Sequence, residues 1–317
     1  MKNNEIVERM NELGAQRIPF LFLIDFKKEN GNVIPLSELN DTIHYQIDSI
    51  PIHSDITFHL KKNPISFARY KKQFKEVQHS FQSGETTLIN LTCATPIEID
   101  LTLEEIYTNS NAKYKVFKKD DFVCFSPETF VKMKKGKIYS YPMKGTIDAS
   151  LENAKDKILS NPKELAEHTA TVELIKKDLE KVSKDISIPK FRYVEEVKTH
   201  EGTLLQVSSE VSGVLPADFQ NNLGDIFDAL LPAGSICGSP KEASYDLIQA
   251  VENYPRNYYT GIFGVFDGEN VDSAVLIRFI EKTKEGLVFK SGGGVTAKSK
   301  AEWEYNEMIE KVYVPIH

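Results

Sequence analysis

Tyr258-Tyr259-Thr260-Gly261-Ile262-Phe263-Gly264-Val265-Phe266-Asp267, followed by apolar 272–281 and 285–291, is the stretch that decides the fold. β-Branched and aromatic residues dominate each piece, and Asp267-Gly268 and Lys284-Glu285-Gly286 punctuate them, which predicts three strands in hairpin order. Upstream, 113–118, 121–125, 129–133 and 137–143 cluster apolar residues between Lys-Asp and Lys-Gly turns and read as an antiparallel meander. Further strands are expected from Thr86 to Thr92, over 190–198 with a turn through Gly202, and over 203–215. Between these groups lie helical patterns. Ile65, Phe67, Tyr70, Phe74, Val77 and Phe81 recur every third or fourth position before Gly84, and 162–184, 240–252 and 299–313 are helical too, the first two opened by Pro162 and Pro240. Strands in hairpin order with helices inserted between them predict an α+β architecture with large antiparallel sheets, not a doubly wound parallel one.

The chain has 317 residues, 41% of them hydrophobic, and no linker-like composition divides it, so one domain over 1–317 is expected. The apolar runs Ile18–Ile24 and Ala274–Ile280 are too short to span a bilayer, and Met1 to Val7 lacks a signal core, which points to the cytosol. Cys93, Cys124 and Cys237 are widely spaced and read as reduced packing residues. A net charge of −7 with interleaved signs supplies no field for a nucleic acid backbone. An anionic ligand would therefore have to be held locally, by a metal, fixed cations or backbone amides.

Two segments suit that task. Leu231-Pro232-Ala233-Gly234-Ser235-Ile236-Cys237-Gly238-Ser239-Pro240-Lys241 reads as a small-residue loop running into a helix, and Ser291-Gly292-Gly293-Gly294-Val295 as a second loop. Both could bring amides close to a carboxylate, although ordinary helix caps and turns have the same composition. The pairs Glu164 with Glu167 and Glu304 with Glu307 each share a helix face, a spacing that solvated faces also show.

Taken together, these segments resemble one family. Residues 232–241 are similar to the Pro-Ala-Gly-Ser signature of the chorismate-binding enzymes, and Arg256 to Gly261, Val275 to Arg278 and Gly292 to Val295 follow in that family's order. Ser126-Pro127-Glu128 and Pro142-Met143-Lys144-Gly145-Thr146 resemble its upstream segments, so the likeness spans roughly Ile65 to Val314. It implies a sandwich of antiparallel sheets flanked by helices and an abbreviated N-terminal region over 1–64, without a tryptophan pocket. It also implies chorismate as substrate, bound by Thr146, Gln206, Gly234, Ser235, Gly238, Tyr259, Gly261, Arg278 and the glycines 292, 293 and 294. The arginine fork suits a planar carboxylate. Mg²⁺ would be held by Glu167 and Glu307 directly and by Glu164 and Glu304 through water, in keeping with an ion that retains much of its hydration.

Lys144 separates members of the family. The resemblance places lysine here in aminodeoxychorismate synthases and alanine in anthranilate and isochorismate synthases. By that likeness Lys144 is the nucleophile and Glu128 the acid, ammonia comes from a separate glutamine amidotransferase, and the product serves para-aminobenzoate and folate synthesis. An amine attacks only when neutral, and for an ordinary lysine, of pKa about 10.4, losing the proton near pH 7.4 costs roughly 4 kcal/mol. Three departures stand out: Leu88 replaces the base or Gln of relatives, Gln206 replaces a His, and Ile147-Asp148 replaces Arg-Pro. The alternatives are an anthranilate or isochorismate synthase, against which Lys144 and Leu88 respectively argue, and a chorismate-binding protein without turnover, which Gln206 and Leu88 make conceivable.

Overall fold

A computed structural model describes residues 1–48, 52–199 and 202–316. In chain order the first third comprises α1 (Asn3–Ala15), β1 (Phe20–Ile24), β2 (Gly31–Pro35), β3 (Ile43–Ile47), β4 (Leu60–Lys62), α2 (Phe67–Gln82), β5 (Leu88–Ile99) and α3 (Leu103–Asn109). The middle holds β6 (Tyr114–Lys118), β7 (Phe122–Ser126), β8 (Thr129–Lys134), β9 (Lys137–Ser140), β10 (Met143–Asp148), α4 (Ala154–Ser160), α5 (Pro162–Leu179), β11 (Lys184–Thr199) and β12 (Gly202–Val214). The last part holds α6 (Leu223–Leu230), α7 (Gly234–Cys237), β13 (Gly238–Ser239), α8 (Lys241–Val251), β14 (Ile262–Phe266), β15 (Val271–Val275), β16 (Phe279–Thr283), β17 (Gly286–Thr296) and α9 (Ala301–Glu310).

Two antiparallel sheets result, ordered β10-β12-β9-β8-β15-β14-β1-β2 with β11 beside β12, and β13-β5-β17-β16-β7-β6-β3 with β4 beside β5. Alternation along β1 explains how they pack, because successive side chains leave opposite faces of a strand. Leu21 and Leu23 meet Tyr114, Phe122, Cys124 and Phe279 of the other sheet, while Phe20, Phe22 and Ile24 turn outward to α1 and α6. There Phe22 lies 4.6 Å from Phe227, ring to ring. The outer face of the second sheet is covered by Leu103 and Ile106 of α3 and by Val312 and Val314. The fold is thus the expected α+β sandwich flanked by helices. Among the described residues no helix is long and apolar enough to cross a membrane.

Three local expectations need correction. Residues 272–281 are not one strand: the chain breaks at 276–278, with Arg278 at φ +54°, so that β15 belongs to one sheet and β16 to the other. Gly292, Gly293 and Gly294 are not a loop, since they continue β17 and pair with Thr92, Leu91 and Asn90 of β5. The helix expected over 162–184 ends at Leu179, and α4 precedes it. The turn before Gly202 involves residues 200 and 201, which lie outside those described.

One buried ion pair joins the parts that build the site. β5 pairs with β13 only over Leu88–Ile89 and with β4 only beyond Ile97, leaving a gap along one edge. Side chains fill it: Glu252 accepts from the Thr92 N–H (2.9 Å) and hydroxyl (2.7 Å), while Arg256 donates to the Asn90 carbonyl (2.6 Å). Arg256 also donates to Glu252 at 2.6 and 2.8 Å, to the Ile236 carbonyl at 3.0 Å and to Thr260 at 3.2 Å. Both side chains are about fully buried, 1% and 2% exposed. Breaking such a pair leaves an uncompensated buried charge, so Arg256→Met is expected to cost about 3–5 kcal/mol. Urea unfolding checks this, and an unchanged midpoint would contradict the role given to the pair.

Candidate active site

A cavity of about 900 Å³ opens at the start of β16. The last β16–β17 pair is Phe279 with Lys290, and beyond it β17 keeps β5 on one side and has no described strand on the other. In an antiparallel ladder alternate residues bond to a given neighbour, so this unpaired side leaves amides available to a ligand. Glycine is required at 292, where a Cβ would collide with the Leu91 carbonyl, while a Cβ on Gly293 would stand 3.3 Å from the Lys311 amine.

Around this ribbon the chain assembles its charged groups. Lys144, on β10, places Nζ 3.4 Å from the Glu167 carboxylate of α5 and about 4.0 Å from where a Gly294 Cβ would stand. From α9, Glu307 and Glu304 come within 3.5 and 3.6 Å of the corresponding Gly293 position. Lys311 bridges to Glu307 at 2.6 Å and donates to the Gly292 carbonyl at 2.9 Å. Arg278 lines the wall with its guanidinium 5.0 Å from the Tyr313 ring centre, donating to the Lys311 carbonyl at 3.2 Å while its buried Nε lacks a partner. That orphan donor is a group an incoming anion could satisfy. Glu128 faces the cavity and accepts a 2.8 Å hydrogen bond from Ser235.

Burial sets the acid–base character. It pushes the Glu128 carboxyl above its usual range, against the Ser235 hydrogen bond and the charges of Lys311 and Arg278. Burial also raises Glu304, opposed by a hydrogen bond from Ser299 and reinforced by the charge of Glu307. For Glu307 burial is again the largest single effect, but the charge and hydrogen bond of Lys311 together with the charges of Lys144 and Arg278 outweigh it, and the carboxyl falls below its usual range.

Of the residues expected from sequence, Lys144, Glu128, Gln206, Gly234, Ser235, Tyr259, Arg278, Glu167 and glycines 292, 293 and 294 line the cavity. Glu164 stands behind the strand, its carboxylate 2.7 Å from the position a Gly145 Cβ would take. Thr146, Gly238 and Gly261 are off the wall. Thr146 is exposed and pairs with Gln206 in the β10–β12 register. Gly238, at φ +146°, lets the chain pass the Leu88 carbonyl, and Gly261 lets β14 start against Ile24. Sequence reasoning gave no role to Lys311, although its place four residues after Glu307 put it on the same helix face. It also missed Asp178, which lines the cavity and pairs with Lys241.

A divalent ion fits the donor chemistry, since Glu167, Glu304 and Glu307 around the glycine ribbon, with Glu164 behind β10, offer only hard oxygens. They do not form a ready cage: among the described residues no three His, Cys, Asp or Glu side chains gather closely enough to hold an ion. Glu167 and Glu307 are each turned toward a lysine instead.

Residues 26–317 match the model of the chorismate binding enzyme family. The chain belongs to that family. An uncharacterized PabA-like protein of Haemophilus influenzae is 46% identical over 315 residues, covering 98% of this chain and 96% of that protein. The aminodeoxychorismate synthase component 1 of Klebsiella aerogenes is 28% identical over 269 residues, covering 80% of this chain and 58% of its own length. In fold, the menaquinone-specific isochorismate synthase of Escherichia coli superposes with a TM-score of 0.73 at 14% identity, over 97% of this chain and 80% of that one. Anthranilate synthase component I of Streptococcus pneumoniae gives 0.69 at 23% identity, over 91% and 70%. Family membership makes this a chorismate-using enzyme.

The Ser235 hydroxyl favours ionised Glu128, so removing it should raise the carboxyl's titration midpoint further. Carboxyl-carbon NMR of labelled Ser235→Ala protein reads this directly. A midpoint that stays or moves down would mean that the hydrogen bond does not act on Glu128.

Proposed function

We propose that this chain is the ammonia-using component I of an aminodeoxychorismate synthase, converting chorismate and ammonia to 4-amino-4-deoxychorismate. The observation that carries the reading is the Lys144 amine in the cavity wall, beside Glu167 and the glycine ribbon. Arg278, Lys311 and the amides of Gly292 and Gly294 would hold the substrate's carboxylates, and Tyr259 and Gln206 would contact the rest. Mg²⁺, held by Glu167 and Glu307 with Glu164 and Glu304 behind water, would neutralise the ring carboxylate and draw electron density toward it.

On this reading the Lys144 amine, without its proton, bonds to C2 of the ring while the C4 hydroxyl leaves as water with the proton of Glu128. The burial that raises Glu128 suits an acid that must still carry its proton near neutral pH. Ammonia then bonds to C4 as the C2–lysine bond breaks, and the surplus proton passes to solvent or to Glu128. Leu88 stands at the ribbon, its Cδ1 3.3 Å from the Gly294 Cβ position, and offers no group to activate water there. That favours an amination over an isochorismate synthase reaction. A separate glutamine amidotransferase is proposed as the ammonia source, in keeping with the component 1 name of the Klebsiella aerogenes relative.

Incubation with chorismate, Mg²⁺ and an ammonium salt, with product chromatography before and after adding an aminodeoxychorismate lyase, tests the assignment. The expected product is one the lyase converts to para-aminobenzoate. Anthranilate or isochorismate would replace the assignment, and unchanged chorismate would favour binding without turnover. Without ammonia, intact mass is expected to show a substrate adduct on the wild type and none on Lys144→Ala, and an adduct that survives in the variant would point to another nucleophile.

A further inference from the structure

The signature segment 232–241 does more than border the cavity. Its lysine, Lys241, reaches away from the charged groups around Lys144 to bind Asp178 of α5 at 2.8 Å and the Leu230 carbonyl at 2.7 Å. Both side chains are nearly enclosed, 13% and 10% exposed. Asp178 lies eleven residues after Glu167 on α5. Eleven residues make just over three full turns, so the two carboxylates share one helix face roughly 16 Å apart. Both line the cavity. α5 comes close at this end because Gly234 has no side chain: a Cβ there would stand 2.9 Å from the Asp178 carboxylate and 3.0 Å from Leu174. At the other end the helix is held by Glu167 to Lys144 and by His168, whose Nε2 is 2.7 Å from the Ser209 hydroxyl. Ala170, between the two attachments, and Ala166, just before Glu167, are exposed on the cavity wall.

We propose that Lys241 is a positioning residue: by docking the C-terminal end of α5 through Asp178 it sets where Glu167 stands relative to Lys144. The docking follows from geometry alone, while its consequence for turnover rests on the function proposed above. A buried ion pair is well suited to fixing register between two elements, since on undocking Lys241 would keep the Leu230 carbonyl but lose its carboxylate. Lys181 also contacts Asp178, at 3.1 Å, so removing Lys241 does not strand that carboxylate and the variant should remain folded.

Hydrogen exchange on the ligand-free protein reads the docking without any catalytic assay. In Lys241→Met, amides of 162–179 are expected to exchange about tenfold faster, those of 88–99 to keep their rate, and Lys241→Arg to restore protection. No change over 162–179, or an equal rise in both segments, would overturn the proposal, the latter because it marks general loosening. The same variant should need several times more Mg²⁺ for half-maximal binding in titration calorimetry, and the Arg variant should recover most of that. If wild-type protein fails to turn over chorismate, the proposed function falls while the exchange result still decides the docking.

Discussion

The buried pair of Arg256 and Glu252 is the interaction on which the site depends, because it completes a sheet edge that the backbone leaves open. Between the short partners β13 and β4, β5 presents a donor at Thr92 and an acceptor at Asn90, and the two charged side chains take them as a neighbouring strand would. An unpaired backbone group in this dry interior would cost about 1–3 kcal/mol. The same guanidinium holds the Ile236 carbonyl and the Thr260 hydroxyl, so one side chain ties the signature segment, the central strand and the turn before β14 together. Charge is balanced within the cluster, and each guanidinium nitrogen has a partner. Stacked over Phe26 at 4.5 Å, the guanidinium is locked on its remaining face.

With β5 fixed, the glycine ribbon of β17 is fixed with it, and the cavity arises from a length mismatch. β17 runs to Thr296 while β16 begins only at Phe279, opposite Lys290. The side left vacant is where Arg278 turns, in a left-handed backbone conformation that is rare for a side-chain-bearing residue. An arginine at the tip of a broken strand and a ribbon with unpaired amides are two outcomes of one topological event: the crossing from one sheet to the other at 276–278.

Much of this was legible in the sequence. Hairpin order and the helix periodicities lead to the α+β class with antiparallel sheets, and Lys144, placed in its strand by resemblance, lines the cavity. What escaped were features that depend on partners distant in the chain. A Gly-Gly-Gly run reads locally as a turn, and only the presence of β5 makes it a strand. An unbroken apolar run from 272 to 281 reads as a single strand, because local pattern carries no record of which sheet each half joins. Gly238 and Gly261 belong to the family pattern, yet backbone packing against Leu88 and Ile24 demands them rather than contact with the cavity. Lys241 reads as an ordinary residue of a helix's first turn, and its partner Asp178 lies 63 positions away, beyond any local periodicity.

A protein with a net charge of −7 must offer a dianion a local potential opposite to its own. On the proposed reading it would do so with Lys144, Lys311 and Arg278, which line the cavity, while burial disfavours ionisation of the nearby Glu128. Two of these cations already have a carboxylate, Glu167 or Glu307. Both pairs are open to solvent, with the Glu307 side chain 54% exposed, and pairs of that kind are worth only about 0–1 kcal/mol, so a stronger partner can draw either lysine from its carboxylate. On the proposed reading, a divalent cation and a dicarboxylate supply replacements together, the first for the glutamates and the second for the lysines. Each charge would then exchange one partner for another without passing through an unpaired state, and the amine of Lys144 would come free of its glutamate when a ring is there to attack.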